Sequence, residues 1–254
     1  MTLARRIIAC LDVDEGKVVK GVGFVNLEAM GDPAAMAERY EKEGADEIVF
    51  LDVSATHLGR STLLDVVSRT AERLFIPLTV GGGVRTAEDI DRVLRAGADK
   101  IAINSAAVQT PGLLTEGSER FGAQCVVASI DARRRAGPGW EVYVSGGRKP
   151  TGLDAVEWAA RCADLGAGEI LLTSIDRDGT RNGYDLELLS AVCAVVSVPV
   201  IASGGAGNAT HIADAFSTGA DAALLAGILH DGTTDVRSLK TTLLGGGFPV
   251  RMAA

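Results

Sequence analysis

The feature that most constrains this chain is an internal repeat. GADEIVFLDVS (44–54) aligns with GAGEILLTSID (166–176), IPLTVGGG (76–83) with VPVIASGG (198–205), and GADKIAINS (97–105) with GADAALLAG (219–227), always at an offset of 122. CLD (10–12) and SID (129–131) align at 119. One offset shared by three segments means two halves built on one plan. The period is too long for a solenoid of short stacked units.

Within each half, short apolar runs alternate with helix-like segments. Strands are expected near 6–12, 47–52, 77–81, 99–104, 125–131, 169–174, 199–203 and 221–226. The runs are nearly continuous (EIVFLD, KIAIN, EILLTS, VPVIAS). That pattern belongs to strands buried on both faces, as in a parallel sheet covered by helices. Helix starts are legible at Asp32-Pro33, Thr86, Thr110-Pro111, Asp185 and Asn208, and stops at Gly44, Gly97, Gly166 and Gly219. Eight strand–helix units in 254 residues, without a Pro- or Ser-rich linker, predict a closed (β/α)8 TIM barrel rather than an open sheet. The expectation is one domain over 1–254, composed of half-barrels at about 1–122 and 123–254.

Composition narrows the function. The formal charge is −8 and 47% of residues are apolar. An acidic, core-rich chain of this kind is neither a disordered segment nor a bulk electrostatic binder of nucleic acid or anionic membrane. The basic start is followed by an apolar run broken at Asp12, which argues against a signal peptide. The four cysteines, Cys10, Cys125, Cys162 and Cys193, are widely spaced and read as buried reduced thiols, in keeping with a cytoplasmic protein. His57, His211 and His230 show no ligand spacing, so no metal site is expected.

In a barrel of this type, chemistry sits at the carboxyl ends of the strands. Asp12 and Asp131 end the first and fifth predicted strands at equivalent positions of the repeat. Two opposed carboxyls can divide proton transfer between an acid and a base when their surroundings separate their roles. The glycine turns containing Gly82-Gly83 and Gly204-Gly205 each precede a capped helix, and bare amides in such a place cradle anions. Asn104-Ser105 and Ala226-Gly227, after the fourth and eighth strands, complete an anion site in each half. Two such sites imply a small molecule with a phosphate at each end. At the opposite ends of the strands stand Arg6, Glu47, Lys100 and Glu169. Charges entering a barrel are costly unless paired, and two of each sign can form a ring closing the floor.

These segments resemble a known family. RIIACLDVDEGKVVKG, FLDVSA, VGGGVRTAEDI, GADKIAINSAAV, VVASIDAR, GAGEILLTSIDRDGTRNGYD, VPVIASGGAGN, GADAALLAGILH and the terminal PVR are similar to the cyclase subunits of imidazole glycerol phosphate synthase, half-barrel enzymes of histidine biosynthesis. The resemblance runs from Arg6 to Arg251. It implies a lyase working as a heterodimer with a glutaminase subunit docked at the amino-terminal face of the barrel. Ammonia from that partner and a ribulosyl aminoimidazole carboxamide bisphosphate would give imidazole glycerol phosphate and aminoimidazole carboxamide ribotide, with no cofactor. By resemblance, Asp12 and Asp131 are catalytic, and Lys20 is the lysine of a mobile loop. Asn104, Ser105, Asp178, Gly179, Gly205, Ala226 and Gly227 lie near the phosphates, and Thr173 and Ser203 face the substrate. Arg6, Glu47, Lys100 and Glu169 form an ammonia gate, with Asp99 coupling the subunits. Gly23 and Gly227 depart from the family's usual polar residue and serine. The sister isomerase of the same pathway and a non-catalytic phosphometabolite-binding barrel share parts of the pattern. Cys10 before Leu11-Asp12, together with LLTSIDRDGTRNGYD, resembles the cyclase more closely, and a sensor has no need of both aspartates.

Overall fold

The computed structural model describes residues 3–22, 25–53 and 64–252, at 20–22 and 25–28 by backbone alone. In chain order the elements are β1 (Arg6–Asp14), β2 (Lys17–Val22), β3 (Val25–Gly31), α1 (Pro33–Glu43), β4 (Glu47–Asp52), α2 (Leu64–Ala71), β5 (Leu78–Gly81), α3 (Ala87–Arg95), β6 (Lys100–Ile103), α4 (Ser105–Gln109) and α5 (Gly112–Phe121). There follow β7 (Val126–Arg134), β8 (Trp140–Val144), β9 (Lys149–Asp154), α6 (Ala155–Asp164), β10 (Glu169–Ser174), α7 (Leu186–Cys193), β11 (Val200–Ser203), α8 (Ala209–Thr218), β12 (Ala222–Leu225), α9 (Gly227–His230) and α10 (Val236–Gly245).

Parallel pairing runs β1–β4–β5–β6–β7–β10–β11–β12 and returns to β1. The sheet is therefore a closed barrel of eight parallel strands with helices outside. Side chains alternate across each strand. On β1, Ile7, Ala9, Leu11 and Val13 join the large core between barrel and helices. Ile8 and Cys10 instead pack inside, with Val49, Ala102, Val127, Leu171, Ile201, Ala222 and Leu224. The same alternation puts Arg6 at the floor of the interior and Asp12 at its mouth. Among the described residues no helix is long and apolar enough to cross a membrane.

Equivalent parts of the two halves adopt the same local solutions. Asp32 caps α1 and Asp154 caps α6. Thr86 accepts from Asp89 N at the start of α3, and Asn208 accepts from His211 N at the start of α8. Such caps satisfy backbone donors that a helix start leaves open. Asp99 Oδ2 accepts from Leu78 N at 2.8 Å, and Asp221 Oδ2 from Val200 N at 3.1 Å.

Some boundaries differ from expectation. The first and fifth barrel strands do not stop at Asp12 and Asp131 but run on to Asp14 and Arg134. Each continues as an antiparallel hairpin, β1–β2–β3 and β7–β8–β9. On one edge the parallel ladder stops early, at Ala9↔Leu225 for β1 and at Ile103↔Ala128 for β7, and a hairpin strand takes over that freed edge. At Thr110-Pro111 the helix begins one residue later, at Gly112, and has no side-chain cap. Of the cysteines, Cys10 and Cys162 are buried, whereas Cys125 and Cys193 are half-buried, and all are free.

Candidate active site

The mouth of the barrel is where the inward-facing row of each strand meets solvent. Asp12 on β1 arrives there one pleat above Cys10, and Asp131 on β7 two pleats above Val127, with Ser129 between. Cys10 Sγ lies 3.6 Å from Asp12 Oδ1. Asn104, at the end of β6, donates from Nδ2 to Asp131 Oδ2 at 2.9 Å. Asn104 Oδ1 is buried with no hydrogen-bond partner among the described residues, as is Ser174 Oγ.

The electrostatics of the two aspartates are unusual. Burial, then the neighbouring Asp178 and Asp131 charges, push Asp12 up to about 7 against the Cys10 hydrogen bond. Burial and the Asp178 charge likewise push Asp131 up to about 7, against the Asn104 hydrogen bond. Loss of water disfavours an ionised carboxyl, and nearby like charge adds to the effect. Burial and the Asp12 charge drive the Cys10 thiol far above its ordinary range, so it is a neutral neighbour rather than a thiolate nucleophile.

A cavity of about 380 Å³ opens beside Asp131 and contains Gly82, Gly83, Asn104, Ser105 and Ser129 on its walls. Gly82 has a φ of 93°, and a Cβ there would sit 2.3 Å from the Asp52 carbonyl oxygen. The equivalent Gly204, at 88°, would place a Cβ 2.7 Å from the Ser174 carbonyl oxygen. Only glycine combines that left-handed backbone with such close approach. Both turns thus lie directly on the ends of β4 and β10. At the second turn, Gly183 N donates to Gly205 O at 2.8 Å. This bond folds the β10–α7 loop, with Asp178 and Gly179, against the Ser203–Gly205 segment.

The positions expected from sequence divide as follows. Asp131, Gly82, Gly83, Asn104 and Ser105 share one cavity. Asp12 joins them through its electrostatic contact with Asp131. Thr173 is paired in register with Asp131 across β10 and β7, and with Ser203 across β10 and β11. Ala226 and Gly227 follow β12 and begin α9, as Asn104 and Ser105 follow β6 and begin α4. Asn104 and Ala226 share an unusual backbone, with ψ of −87° and −84°. The side chain of Lys20, Gly23 and the Ser54-Ala55 end of FLDVSA lie outside the described residues, as does His57.

Asp52 and Ser174 were not expected at the site. Both are buried at the ends of β4 and β10, and Asp52 lines the cavity. Their equal position in the repeat was the available signal, hidden because the two residue types differ. Ser145, Gly146 and Lys149, from the second hairpin, also line it. They stand far from any glycine turn in sequence.

At the opposite end of the interior, four charges close a ring. Arg6 Nη1 meets Glu47 Oε1 at 2.6 Å, and Arg6 Nη2 meets Glu169 Oε1. Lys100 Nζ meets Glu47 Oε2 at 2.9 Å and Glu169 Oε2 at 3.0 Å. The glutamates outweigh burial and raise the Arg6 pKa above its ordinary value. Asp99, next to Lys100, spends one carboxylate oxygen on the start of β5.

Comparison with known proteins fits this arrangement. The model of a family described as histidine biosynthesis protein matches residues 6–235. Imidazole glycerol phosphate synthase subunit HisF of Myxococcus xanthus is 63% identical over 250 residues, covering 98% of both chains. The protein of the same name from Streptomyces coelicolor is 60% identical over 251 residues, covering 99% of this chain and 100% of its own. That of Synechocystis sp. PCC 6803 is 57% identical over 258 residues, covering 100% of this chain and 99% of its own.

Proposed function

The chain belongs to the histidine biosynthesis protein family as a cyclase subunit of imidazole glycerol phosphate synthase, a lyase, and from that premise we propose how its residues carry the reaction. The substrate is the ribulosyl aminoimidazole carboxamide bisphosphate. Ammonia adds to its keto carbon, water leaves, the bond to the aminoimidazole carboxamide ribotide breaks, and the imidazole ring closes. Each step moves a proton, and Asp12 and Asp131 move it. The observation that carries this reading is that both carboxyls are pushed up to about 7. At neutral pH the pair holds about one proton, so it offers an acid and a base at once. Each carboxyl has burial and the Asp178 charge favouring its protonated form and one hydrogen bond, from Cys10 to Asp12 and from Asn104 to Asp131, favouring its ionised form, so the two are matched and share the proton.

The substrate's two phosphates occupy the two glycine turns. Gly82, Gly83 and Ser105 serve one, and Gly204, Gly205, Ala226 and Gly227 the other, with Asp178 and Gly179 beside it. The unpartnered Asn104 Oδ1 is available to a substrate hydroxyl, and Thr173 and Ser203 line the same mouth. Lys20, on β2, belongs to the hairpin that follows Asp12. The near-equivalent geometry of the two turns supports half-barrels at about 1–122 and 123–254.

The floor serves the supply of ammonia. A glutaminase subunit docks on the amino-terminal face, where Phe75, Leu3 and Met252 leave apolar side chains in solvent, Phe75 at 94% exposure. Large exposed apolar groups gathered on one face mark an interaction surface. The ring of Arg6, Glu47, Lys100 and Glu169 is the gate through which ammonia enters, and Asp99 couples the two subunits. Turnover of the bisphosphate tests this reading. Ammonium salts alone should support it, glutamine should support it only with the partner present, and Asp131→Asn should abolish both while the fold persists. Failure of folded wild-type protein to form imidazole glycerol phosphate in ammonium would refute it.

A further inference from the structure

A phosphate in the cavity beside Asp131 and Asp52 needs a positive counter-charge. Glycine amides, the Ser105 hydroxyl and the Asn104 amide provide hydrogen bonds but no full charge, and of the two cations that line the cavity, Arg85 and Lys149, Arg85 is already engaged in another interaction. The topology brings one from the other half of the barrel. Pairing of β6 with β7 ends at Ile103↔Ala128. Beyond it, β8 takes the freed edge of β7, from Arg134↔Trp140 to Asp131↔Tyr143. The second hairpin therefore stands over the end of β6. Its turn is anchored there, because Ser145 N donates to Ser105 Oγ at 2.9 Å.

The turn is rigid. Ser145, Gly146 and Gly147 take successive φ values of 58°, 66° and 73°. Arg148 closes it by donating from N to Val144 O at 3.1 Å and from Nη1 to Ser145 O at 3.0 Å. The guanidinium of Arg148 is thereby turned back on its own loop. Lys149, the next residue, pairs in register with Val144 and lines the cavity. Among the described residues Lys149 has no ion-pair partner, although it lines the same cavity as the glycine turn.

We propose that Lys149 is a phosphate-binding residue of the first-half site, presented across the half-barrel boundary by a turn locked onto Ser105. The proposal rests on the bisphosphate reading above and adds to it a full charge from the second hairpin, beside Arg85 of the first half. It also makes the first-half site depend on an element of the second half. The β1–β2–β3 hairpin has the reciprocal placement, since pairing of β1 with β12 ends at Ala9↔Leu225 while pairing with β2 begins at Val13↔Val18.

The test uses inorganic phosphate titrated into the full-length chain, with amide shifts as the readout. Gly82, Gly83 and Ser105 report the first site, and Gly204, Gly205 and Gly227 the second. Lys149→Met should weaken phosphate at the first set roughly tenfold, as loss of a charge-assisted contact does, and leave the second set alone. Lys149→Arg should restore most of the affinity. In ammonium-dependent turnover, Lys149→Met should raise KM by a similar factor while kcat is held, a split that a collapsed hairpin does not produce. Equal first-set affinity in wild type and Lys149→Met overturns the inference whatever turnover shows, and so does absence of first-set binding in the wild type. If Lys149→Met loses phosphate but the wild type never converts the bisphosphate, Lys149 keeps its role and the reaction assignment falls.

Discussion

At the scale of single residues, the site is built by withholding water from acids. Asp12 and Asp131 are expensive to ionise where they stand, and the protein accepts that cost for a proton that is mobile near neutrality. The raised value fixes the sign of a stability effect. A carboxyl whose folded pKa lies above its unfolded one contributes stability in full below the unfolded value, near 4. That contribution is lost as pH climbs through the folded value, about 7 here. Asp12→Asn should therefore raise thermal stability more at pH 8 than at pH 5, by a margin on the order of 1–2 kcal/mol. Melting curves at the two pH values check it. Both aspartates were legible in the sequence because they recur at equivalent strand ends. Asp52 and Ser174 were not, because the halves have kept the position and changed the side chain.

At the scale of elements, the helix ends were the most readable part of the chain, since Asp32, Thr86, Asp185 and Asn208 all accept from first-turn amides as their chemistry demands. The hairpins were the least readable in extent. Nothing local tells β1 to continue to Asp14; the continuation depends on an edge left bare when neighbouring strands end. Ion pairing of α10 was equally silent, because Lys240 looks like an ordinary helical lysine. It is 1% exposed, and its Nζ lies 2.7 Å from Asp46 Oδ2 and donates to Arg251 O. Asp46 also accepts from Ile7 N at 2.8 Å, so the carboxyl-terminal helix is tied to the first barrel strand. Lys240→Met leaves Asp46 buried without its main partner and should cost about 3 kcal/mol in urea unfolding. A loss near zero would mean that Arg251 alone satisfies the carboxylate.

At the scale of the whole molecule, the interior is layered: a charged floor, an apolar middle and an acidic, glycine-rimmed mouth. The repeat made the barrel legible, whereas the layers inside it were not, because strands apolar on both faces hide which row points inward. The closure of the floor ring was only half visible, since sequence places four charges at strand starts but not their mutual reach. In the proposed account the floor governs supply and the mouth governs chemistry. Lys100→Ala should then lower glutamine-dependent turnover several-fold against ammonium-dependent turnover by the same variant, as assays with and without the partner would show. The claim on which the rest depends is the proton shared at the mouth. Carboxyl-carbon NMR titration of the labelled chain from pH 4 to pH 9 reads it directly. The account predicts that Asp12 and Asp131 titrate around 7 and that Asp12→Asn shifts the Asp131 midpoint downward. Two midpoints below 5, each indifferent to the other's substitution, would contradict it.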